Sequence, residues 1–348
     1  IQEEIAHSIV GTLRIALTNK GSGSTAAHPN LACFNLCLQA RFHLSRRTLE
    51  GIRKAAACYE QAVAADPASA QAHAGLANSY VLLSVYGVEP TLEAMPKARQ
   101  AAQQALALNP EEAEAHTALA YIRSTFDWQW GDGEALYRRA IATNPSYAQA
   151  RHWFGVDFLV PLGRFEEAQR ETEIARRLDP LSQIVVEGCA ALHMFRRDYE
   201  RALAGYRELI ELDPTFYKGY SGMGRVLNLM GRHDEALEAF ARAHSLAGDI
   251  PSLVGAFGQV YARAGRKKQA HEYLERLEEL SRTQMVFNIT FGLLLAALGA
   301  EQQALARFEK ACERKESGLT FAKVHPLYDS LRSNPRFQAV LDRIGVAA

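Results

Sequence analysis

The sequence has no excess of charge of either sign. Its 348 residues include 39 Lys and Arg against 39 Asp and Glu, so the formal net charge is zero. Proteins that bind nucleic acid or anionic lipid through their overall field carry a clear basic excess. We therefore expect this chain to bind neither nucleic acid nor a membrane, although a local basic patch is compatible with the balance.

Cysteine is scarce, and the number of cysteines is odd. Their spacing does not form a disulfide framework, which favours reduced thiols in a cytoplasmic compartment. A transmembrane helix further upstream in a longer protein would place the chain in the periplasm instead. The five cysteines are Cys33, Cys37, Cys58, Cys189 and Cys312.

Long apolar runs are also absent. The longest extends from Met285 to Ala300, contains Asn288 and is shorter than the roughly 20 residues that span a bilayer. Residues 1–17 include Glu3 and Glu4 among their apolar positions, which is not typical of a signal peptide. Because the sequence begins with Ile rather than Met, we expect it to be a piece of a longer protein.

Catalytic and metal-binding signatures are missing as well. Gly222 and Gly224 resemble the start of a dinucleotide fingerprint, but they lie in a helical segment rather than after a strand, so we interpret them as packing glycines. Cys33 and Cys37 are one helical turn apart and supply at most half of a metal site. We therefore predict no enzymatic activity, no cofactor and no bound metal.

What the sequence does contain is a repeat. Asp-Pro or Asn-Pro dipeptides recur at residues 66–67, 109–110, 144–145, 179–180 and 213–214, and their prolines are 43, 35, 35 and 34 residues apart. Two columns of small residues keep the same steps. The first column is Ala55, Ala98, Gly133, Ala168, Ala202, Ala236, Ala270 and Ala304, and the second is Ala77, Ala120, Gly155, Ala190, Gly224, Gly258 and Gly292. Such agreement in phase indicates a repeat architecture.

Each unit is predicted to be a pair of antiparallel helices. Tyr206, Leu209 and Ile210 follow Ala202 at helical spacing and form one stripe. Small residues in the columns let two helices approach closely. The second unit has nine extra residues around VYGVEPTLEAMPKA, which predicts an enlarged loop.

This pattern resembles the tetratricopeptide repeat (TPR), in which a large and a small residue are paired in the first helix and a small residue precedes an aromatic one in the second. Phe154-Gly155 and Phe257-Gly258 match the first helix, and Ala236 with Phe240 matches the second. The resemblance implies an all-α fold, a right-handed α-solenoid of about eight helix hairpins with an N-terminal helix and C-terminal capping helices.

The two ends define the predicted domain organisation. Residues 1–18 are predicted to be an amphipathic helix with Ile and Leu at every fourth position, and residues 19–30 a flexible linker. The TPR array spans residues 31–316, and residues 317–348 form the capping segment. The N-terminal helix either packs on the first repeat or is the tail of a missing upstream α/β domain.

Several longer segments resemble one particular group of TPR proteins. IQEEIAHSIVGTLR, LQARFHLSRRTLEGIRKA, NPSYAQARHWFG and HPLYDSLRSNPRFQAVL are similar to the TPR portion of bacterial multidomain signalling proteins. In that group the repeats follow a TolB-N-like domain. A winged-helix, serine/threonine kinase or nucleotide cyclase output domain lies further upstream.

The candidate site is the concave groove lined by the first helix of each repeat. The residues expected to line it are next to the small column in the first helix of each repeat, on the face that points away from the packed neighbouring helix. A cluster of cations and amides there would bind a carboxylate or an acidic peptide, although solvated surface is an alternative interpretation. The predicted groove residues are Asn78, Tyr121, His152, Lys218, Ser221, Arg225, Asn228, Gln259 and Arg263.

These observations predict a non-enzymatic scaffold that binds a protein or peptide partner in its groove and contacts an upstream domain of its own chain. It would be the regulatory part of a bacterial signalling protein. The alternative hypothesis is a fragment of a signalling enzyme, a cyclase or kinase, or of a winged-helix transcriptional regulator, whose output domain is absent from this sequence.

Overall fold

Short polar side chains begin the first helices. Asn30 Oδ1 accepts hydrogen bonds from two backbone N–H groups of the first helical turn, at 3.1 and 3.2 Å. Thr48 and Ser69 cap the next two helices in the same way. These bonds satisfy donors that the helix itself leaves unpaired.

The computed structural model describes residues 30–346, and within them the regular elements are helices, without a strand. The predicted N-terminal helix (1–18) and nearly all of the predicted linker (19–30) lie outside these residues. The helices are α1 Leu31–Ser45, α2 Leu49–Ala65, α3 Ala70–Val85, α4 Thr91–Leu108, α5 Ala113–Tyr121, α6 Trp130–Thr143, α7 Ala148–Trp153, α8 Phe165–Leu178, α9 Gln183–Phe195, α10 Tyr199–Leu212, α11 Tyr217–Leu229, α12 His233–Ala247, α13 Pro251–Arg263, α14 Lys267–Leu280, α15 Asn288–Ala297, α16 Glu301–Glu313 and α17 Pro335–Ile344.

The recurring Asp-Pro and Asn-Pro dipeptides form one kind of turn. The side-chain oxygens of Asp66, Asn109, Asn144 and Asp213 each accept a hydrogen bond from the backbone N–H two residues later, at 2.8–3.2 Å. This side-chain turn ends one helix, and the proline prevents its continuation. The next helix therefore begins at the same offset in successive repeats.

The helices pair into eight successive hairpins, from α1–α2 to α15–α16, and each hairpin packs on the next. This confirms the predicted all-α solenoid of about eight hairpins. The alanines of the first small column are completely buried at the helix contacts: Ala55, Ala98, Ala168, Ala202, Ala236, Ala270 and Ala304. No helix in the described part of the chain is long and apolar enough to cross a membrane.

Most of the extra residues of the second hairpin do not enter the loop that the sequence predicts to be enlarged, which is only two residues longer than the connections 196–198 and 230–232. They lengthen α3 and α4, and the connection between them is residues 86–90. This short connection reaches across the interior of the solenoid. The ammonium of Lys218, in the sixth hairpin, lies 4.5 Å from the centre of the Tyr86 ring. Gly87 faces Phe287, which precedes α15.

Two helices widen into π-helical turns, which the repeat pattern does not predict. Residues Ile122–Phe126 continue α5, and residues Phe154–Leu159 continue α7. A π-turn adds a residue to the helical turn and so changes which side chains face the interior.

The C-terminal segment packs on the last hairpin and then continues across the inside of the solenoid. Phe337 of α17 meets the Phe308 ring of α16 with ring centres 5.6 Å apart. Two 3₁₀ helices, Ser317–Lys323 and Pro326–Leu331, precede α17. The Trp130 Nε1–H, in the third hairpin, donates to the Ile344 carbonyl at 2.7 Å. The solenoid therefore closes on itself through residues 214 positions apart.

The tightest helix contact yields a stability prediction. A Cβ at Gly222 would overlap the Tyr206 ring, whereas a Cβ at the exposed Gly131 would meet nothing within 4 Å. Gly222→Ala should therefore lower the free energy of unfolding by about 1–3 kcal/mol, because the ring has to move within a packed core. Chemical denaturation measures the change.

Gly131→Ala, in the first turn of α6, is the matched control. It removes a helical glycine without steric overlap and should be neutral or stabilising by up to about 1 kcal/mol. Equal destabilisation by the two substitutions would contradict the assigned helix contact.

Candidate functional site

Four cavities follow one another along the inside of the solenoid, and we call them together the inner channel. Their volumes are about 640, 110, 230 and 390 Å3. The first lies beside Arg41 and Leu181, and the fourth ends at Tyr328. Neighbouring cavities share lining residues, so the four form a single path through the interior.

A cation lies at each junction between neighbouring cavities. Arg47 lines the first and second cavities, Lys218 the second and third, and Arg225 the third and fourth. None of the three forms an ion pair with a carboxylate among residues 30–346. Lys218 instead lies over the Tyr86 ring. The inner channel therefore presents three positive charges in sequence.

Arg47 is held in an unusual backbone conformation. It lies in the loop between α1 and α2 with a φ of 51°, which non-glycine residues rarely adopt. Its residue surface is only 7% exposed, so the side chain lies inside the solenoid. The same left-handed position ends the first helix of later hairpins, where Gly163, Gly231, Gly265 and Gly299 occupy it, so it is the helix C-cap of the repeat with an arginine in place of glycine.

Two carboxylates face the second cavity from α9 and from the π-turn after α7. They belong to Glu187 and Asp157. Burial, and then the charge of Glu187, raise the pKa of Asp157 to about 7, although Lys218 and Arg47 oppose the shift. Asp157 therefore changes charge near neutral pH, and the balance of charge in the inner channel changes with it.

Two fully buried side chains beside these charges each have a polar atom without a hydrogen-bond partner in the described part of the chain. The atoms are His152 Nδ1 and Asn228 Oδ1, and both residues are more than 95% buried. Burial, followed by the charges of Arg47 and Lys218, lowers the pKa of His152 to about 3, so the ring is neutral at physiological pH. Buried polar groups are normally paired, and an unpaired one indicates a missing partner.

The structure brings most of the predicted groove residues into the inner channel. Seven of the nine line its cavities, from both halves of the array: Tyr121, His152, Lys218, Ser221, Arg225, Asn228 and Gln259.

Two predicted groove residues lie elsewhere. Asn78 is buried behind the first cavity and donates to Glu114 Oε1 at 2.8 Å; Glu114 and the neighbouring Tyr147 line that cavity, but Asn78 does not. Arg263 is exposed at the C-terminal end of α13 and lines none of the four cavities.

The sequence did not single out several residues of the inner channel. Glu187 occupies the same repeat position as His152 and Ser221, 35 residues after the one and 34 before the other, so the repeat spacing could have found it. Asp157 lies within a π-turn, whose positions regular helical spacing does not reproduce. Arg47 and Tyr86 come from loops, where helical periodicity does not apply.

The C-terminal segment forms one wall of the fourth cavity. Phe321 stacks on Phe195 with ring centres 5.1 Å apart, and His325 meets the same ring edge-on at 5.4 Å. Arg197 holds the segment through two hydrogen bonds to the Asp329 carboxylate, at 2.6 and 2.9 Å. The late end of the groove is therefore occupied by the chain itself.

Trp128 and Trp130 do not form an open stacking surface. Trp130 packs against Phe158 with ring centres 5.5 Å apart and donates to the C-terminal helix. The Trp128 ring carries the ammonium of Lys315 at 3.3 Å. Both indoles therefore join the third hairpin to the C-terminal part of the chain.

Comparison with known proteins identifies the repeats. The family model described as tetratricopeptide repeat matches residues 44–84 and 190–249. The small glutamine-rich tetratricopeptide repeat-containing protein 2 of Saccharomyces cerevisiae is 28% identical over 112 residues, which cover 32% of this chain and 32% of that protein. Anaphase-promoting complex subunit 3 of Schizosaccharomyces pombe is 25% identical over 149 residues, 42% of this chain and 22% of that protein.

Solved structures share the fold. A tetratricopeptide repeat protein from Parabacteroides merdae superposes with a TM-score of 0.51 at 15% identity, covering 78% of this chain and 99% of that one. The human IFIT1 dimer with PPP-AAAA gives a TM-score of 0.58 at 17% identity, covering 85% and 68%. The two matched segments are therefore tetratricopeptide repeats within an α-solenoid, while the chain spans a third or less of the length of the curated relatives.

The raised pKa of Asp157 yields a pH prediction. Its ordinary value is 3.8 and its folded value about 7, so between these values the folded chain retains a proton that the unfolded chain releases. The wild type should therefore lose stability relative to Asp157→Asn as the pH rises from about 4 to about 7, with a constant difference above that range. Denaturant titrations at several pH values measure it.

Asp132→Asn supplies the baseline, because Asp132 is an exposed aspartate at the start of α6. His152 stays neutral in the folded chain over the tested range but binds a proton in the unfolded chain below its ordinary pKa of 6.5; this contribution is common to the wild type and both variants and cancels in their difference. A difference between wild type and Asp157→Asn that is the same at pH values of about 4 and about 8 would show that this carboxyl titrates normally.

Proposed function

We propose that this solenoid is a non-enzymatic protein-interaction module that takes an acidic segment of a partner protein into the inner channel. One observation carries the proposal: Arg47, Lys218 and Arg225 lie at successive cavity junctions without a carboxylate partner in the described part of the chain. A buried cation is costly unless it is paired. Carboxylates along an extended segment would supply the missing partners.

The uncharged polar groups of the inner channel favour a peptide as its ligand. His152 Nδ1 and Asn228 Oδ1 are buried polar atoms without partners, and they suit the amide groups of a peptide backbone. Tetratricopeptide repeat proteins mediate protein–protein interactions, and one relative is a subunit of the anaphase-promoting complex.

We further propose that the array regulates an output domain of a bacterial signalling protein in the cytoplasm. The longer motifs from IQEEIAHSIVGTLR to HPLYDSLRSNPRFQAVL support this assignment through their resemblance to such proteins. The five cysteines are free thiols, which suits a reducing compartment. The complete protein would then be a winged-helix regulator, a kinase or a cyclase, with the array as its interaction part.

Selection from a displayed peptide library tests whether the inner channel binds acidic segments. Peptides selected on the wild-type chain should be enriched in Asp and Glu, and Arg225→Gln should weaken their binding about 10- to 100-fold. This range corresponds to the loss of a hydrogen-bonded charge pair of about 1.5–3 kcal/mol. Fluorescence anisotropy with labelled peptides measures the dissociation constants.

Arg263→Gln is the matched control, because it removes the same charge from a neighbouring repeat outside the inner channel. It should change binding less than twofold, about 0.4 kcal/mol. Selection of peptides without acidic residues, or equal weakening by both substitutions, would refute the proposed site. A 5′-triphosphate oligonucleotide that binds more tightly than every peptide, with the same dependence on Arg225, would assign the channel to nucleic acid instead.

A further inference from the structure

The first helix carries an apolar stripe on its outer side. The stripe consists of Leu31, Phe34, Leu38 and Phe42, whose exposed fractions are 70, 39, 46 and 60%. These residues are three, four and four positions apart, so they lie on one face of α1. We call them the α1 stripe. Large apolar side chains aligned and exposed in this way mark a surface that another element covers.

The opposite face of α1 already has its partners. Cys33, Cys37 and Ala40 are buried against the neighbouring helices. In the later hairpins the first helix has a preceding hairpin packed against it, as α3 has α2. Among residues 30–346, α1 has no such neighbour on its outer side. The α1 stripe is therefore the unfilled position of a preceding helix.

The N-terminal segment of this chain has the composition to fill that position. Residues 1–17 have apolar side chains at every fourth position, namely Ile1, Ile5, Ile9, Leu13 and Leu17. As a helix of 1.5 Å per residue they would extend about 25 Å, against about 22 Å for the 15 residues of α1. A single helix of this length is marginal in water and needs an apolar surface to stabilise it.

Chain length allows the contact within one molecule. Residues 18–30 connect the segment to α1, and 13 residues can extend about 43 Å or more. This reach exceeds the length of α1, so the connection constrains neither end of the segment. The segment also begins on the same chain as its binding surface, which gives it a high effective concentration there.

Charge selects the antiparallel orientation. In that orientation the first residues of the segment, Glu3 and Glu4, lie beside the C-terminal end of α1. Arg46 stands at that end, exposed, with its guanidinium 5.7 Å from the centre of the Phe42 ring and no carboxylate partner among the described residues. The acidic end of the segment and this cation would therefore meet at the end of the α1 stripe.

We propose that residues 1–17 dock as an antiparallel helix on the α1 stripe and cap the N-terminal end of the array. The proposal is independent of the function assigned to the inner channel, because the α1 stripe lies on the outer side of the helix. It assigns the exposed apolar surface to a segment of the same chain rather than to a second copy or another protein.

Hydrogen–deuterium exchange of the full chain tests the docking. Amides within residues 5–17 should exchange about tenfold or more slowly than in an unstructured peptide. Phe34→Asp and Leu38→Asp should each abolish that protection and leave exchange in α3–α17 unchanged. Leu212→Asp replaces an exposed leucine at the end of α10, 36% exposed and outside the inner channel, and should leave the protection intact.

Charge reversal tests the orientation. Arg46→Glu should reduce the protection, and its combination with Glu3→Arg and Glu4→Arg should restore it. Restoration would not occur if the segment were parallel or if Arg46 acted only by supporting the α1–α2 loop. Circular dichroism melts of each variant establish that the array itself remains folded.

Light scattering distinguishes docking of residues 1–17 within one chain from docking of a second copy on the α1 stripe. A monomer with protected N-terminal amides, at concentrations over a hundredfold range, supports docking within one chain. Protection that appears only with dimerisation would assign the α1 stripe to a second copy. Rapid exchange of residues 1–17 in the wild type, unchanged by Phe34→Asp, would overturn the proposal.

Discussion

The close approach of two helices at a column of small residues is the constraint on which the whole structure depends. At Gly224 the Phe240 ring lies 3.1 Å from the place that a Cβ would take, and Gly292 has the same relation to Phe308. Because the contact recurs every 34 or 35 residues, each hairpin meets the next at a similar angle. The curvature of the solenoid, and hence the enclosed inner channel, follows from this repeated contact.

Regular curvature brings distant repeats together and makes the interior polar. Tyr86, from the second hairpin, meets Lys218, from the sixth, and Arg197 meets Asp329 from the C-terminal segment. Between these contacts the cations at the cavity junctions lack carboxylate partners in the described part of the chain. A packed core would not tolerate them, whereas a channel that admits water or a charged ligand does. The interior is therefore a polar channel rather than a packed core.

Much of this fold can be predicted from the sequence, because the same pattern of turn and small residues recurs in successive repeats. The Asp-Pro and Asn-Pro turns and the small columns are enough to define the hairpins, and seven of the nine predicted groove residues line the inner channel. Periodicity fails where the helix departs from 3.6 residues per turn, as at Asp157, and where a loop supplies the side chain, as at Arg47. Arg263 illustrates the opposite error: it lies one helical turn beyond Gln259, but α13 ends there and the side chain is exposed outside the inner channel.

Contacts between distant parts of the chain cannot be predicted from the repeat pattern. The Trp130–Ile344 hydrogen bond joins residues 214 positions apart, and nothing in either local sequence specifies the other. The C-terminal segment was predicted to cap the last repeat, but the structure also places it against Phe195 inside the solenoid. Such contacts depend on the accumulated curvature of all the intervening hairpins, so small changes in each repeat would alter them.

The loop between α1 and α2 connects the two surfaces to which we assign partners. Arg46 lies over Phe42 at the end of the α1 stripe, whereas the next residue, Arg47, turns into the inner channel. The left-handed backbone at Arg47 allows two adjacent arginines to face opposite sides of the same helix end. Docking of an acidic helix against Arg46 would restrain the loop in this conformation and so hold Arg47 in the channel. An upstream domain attached to residues 1–17 would thus be linked to the channel through a single turn of the backbone.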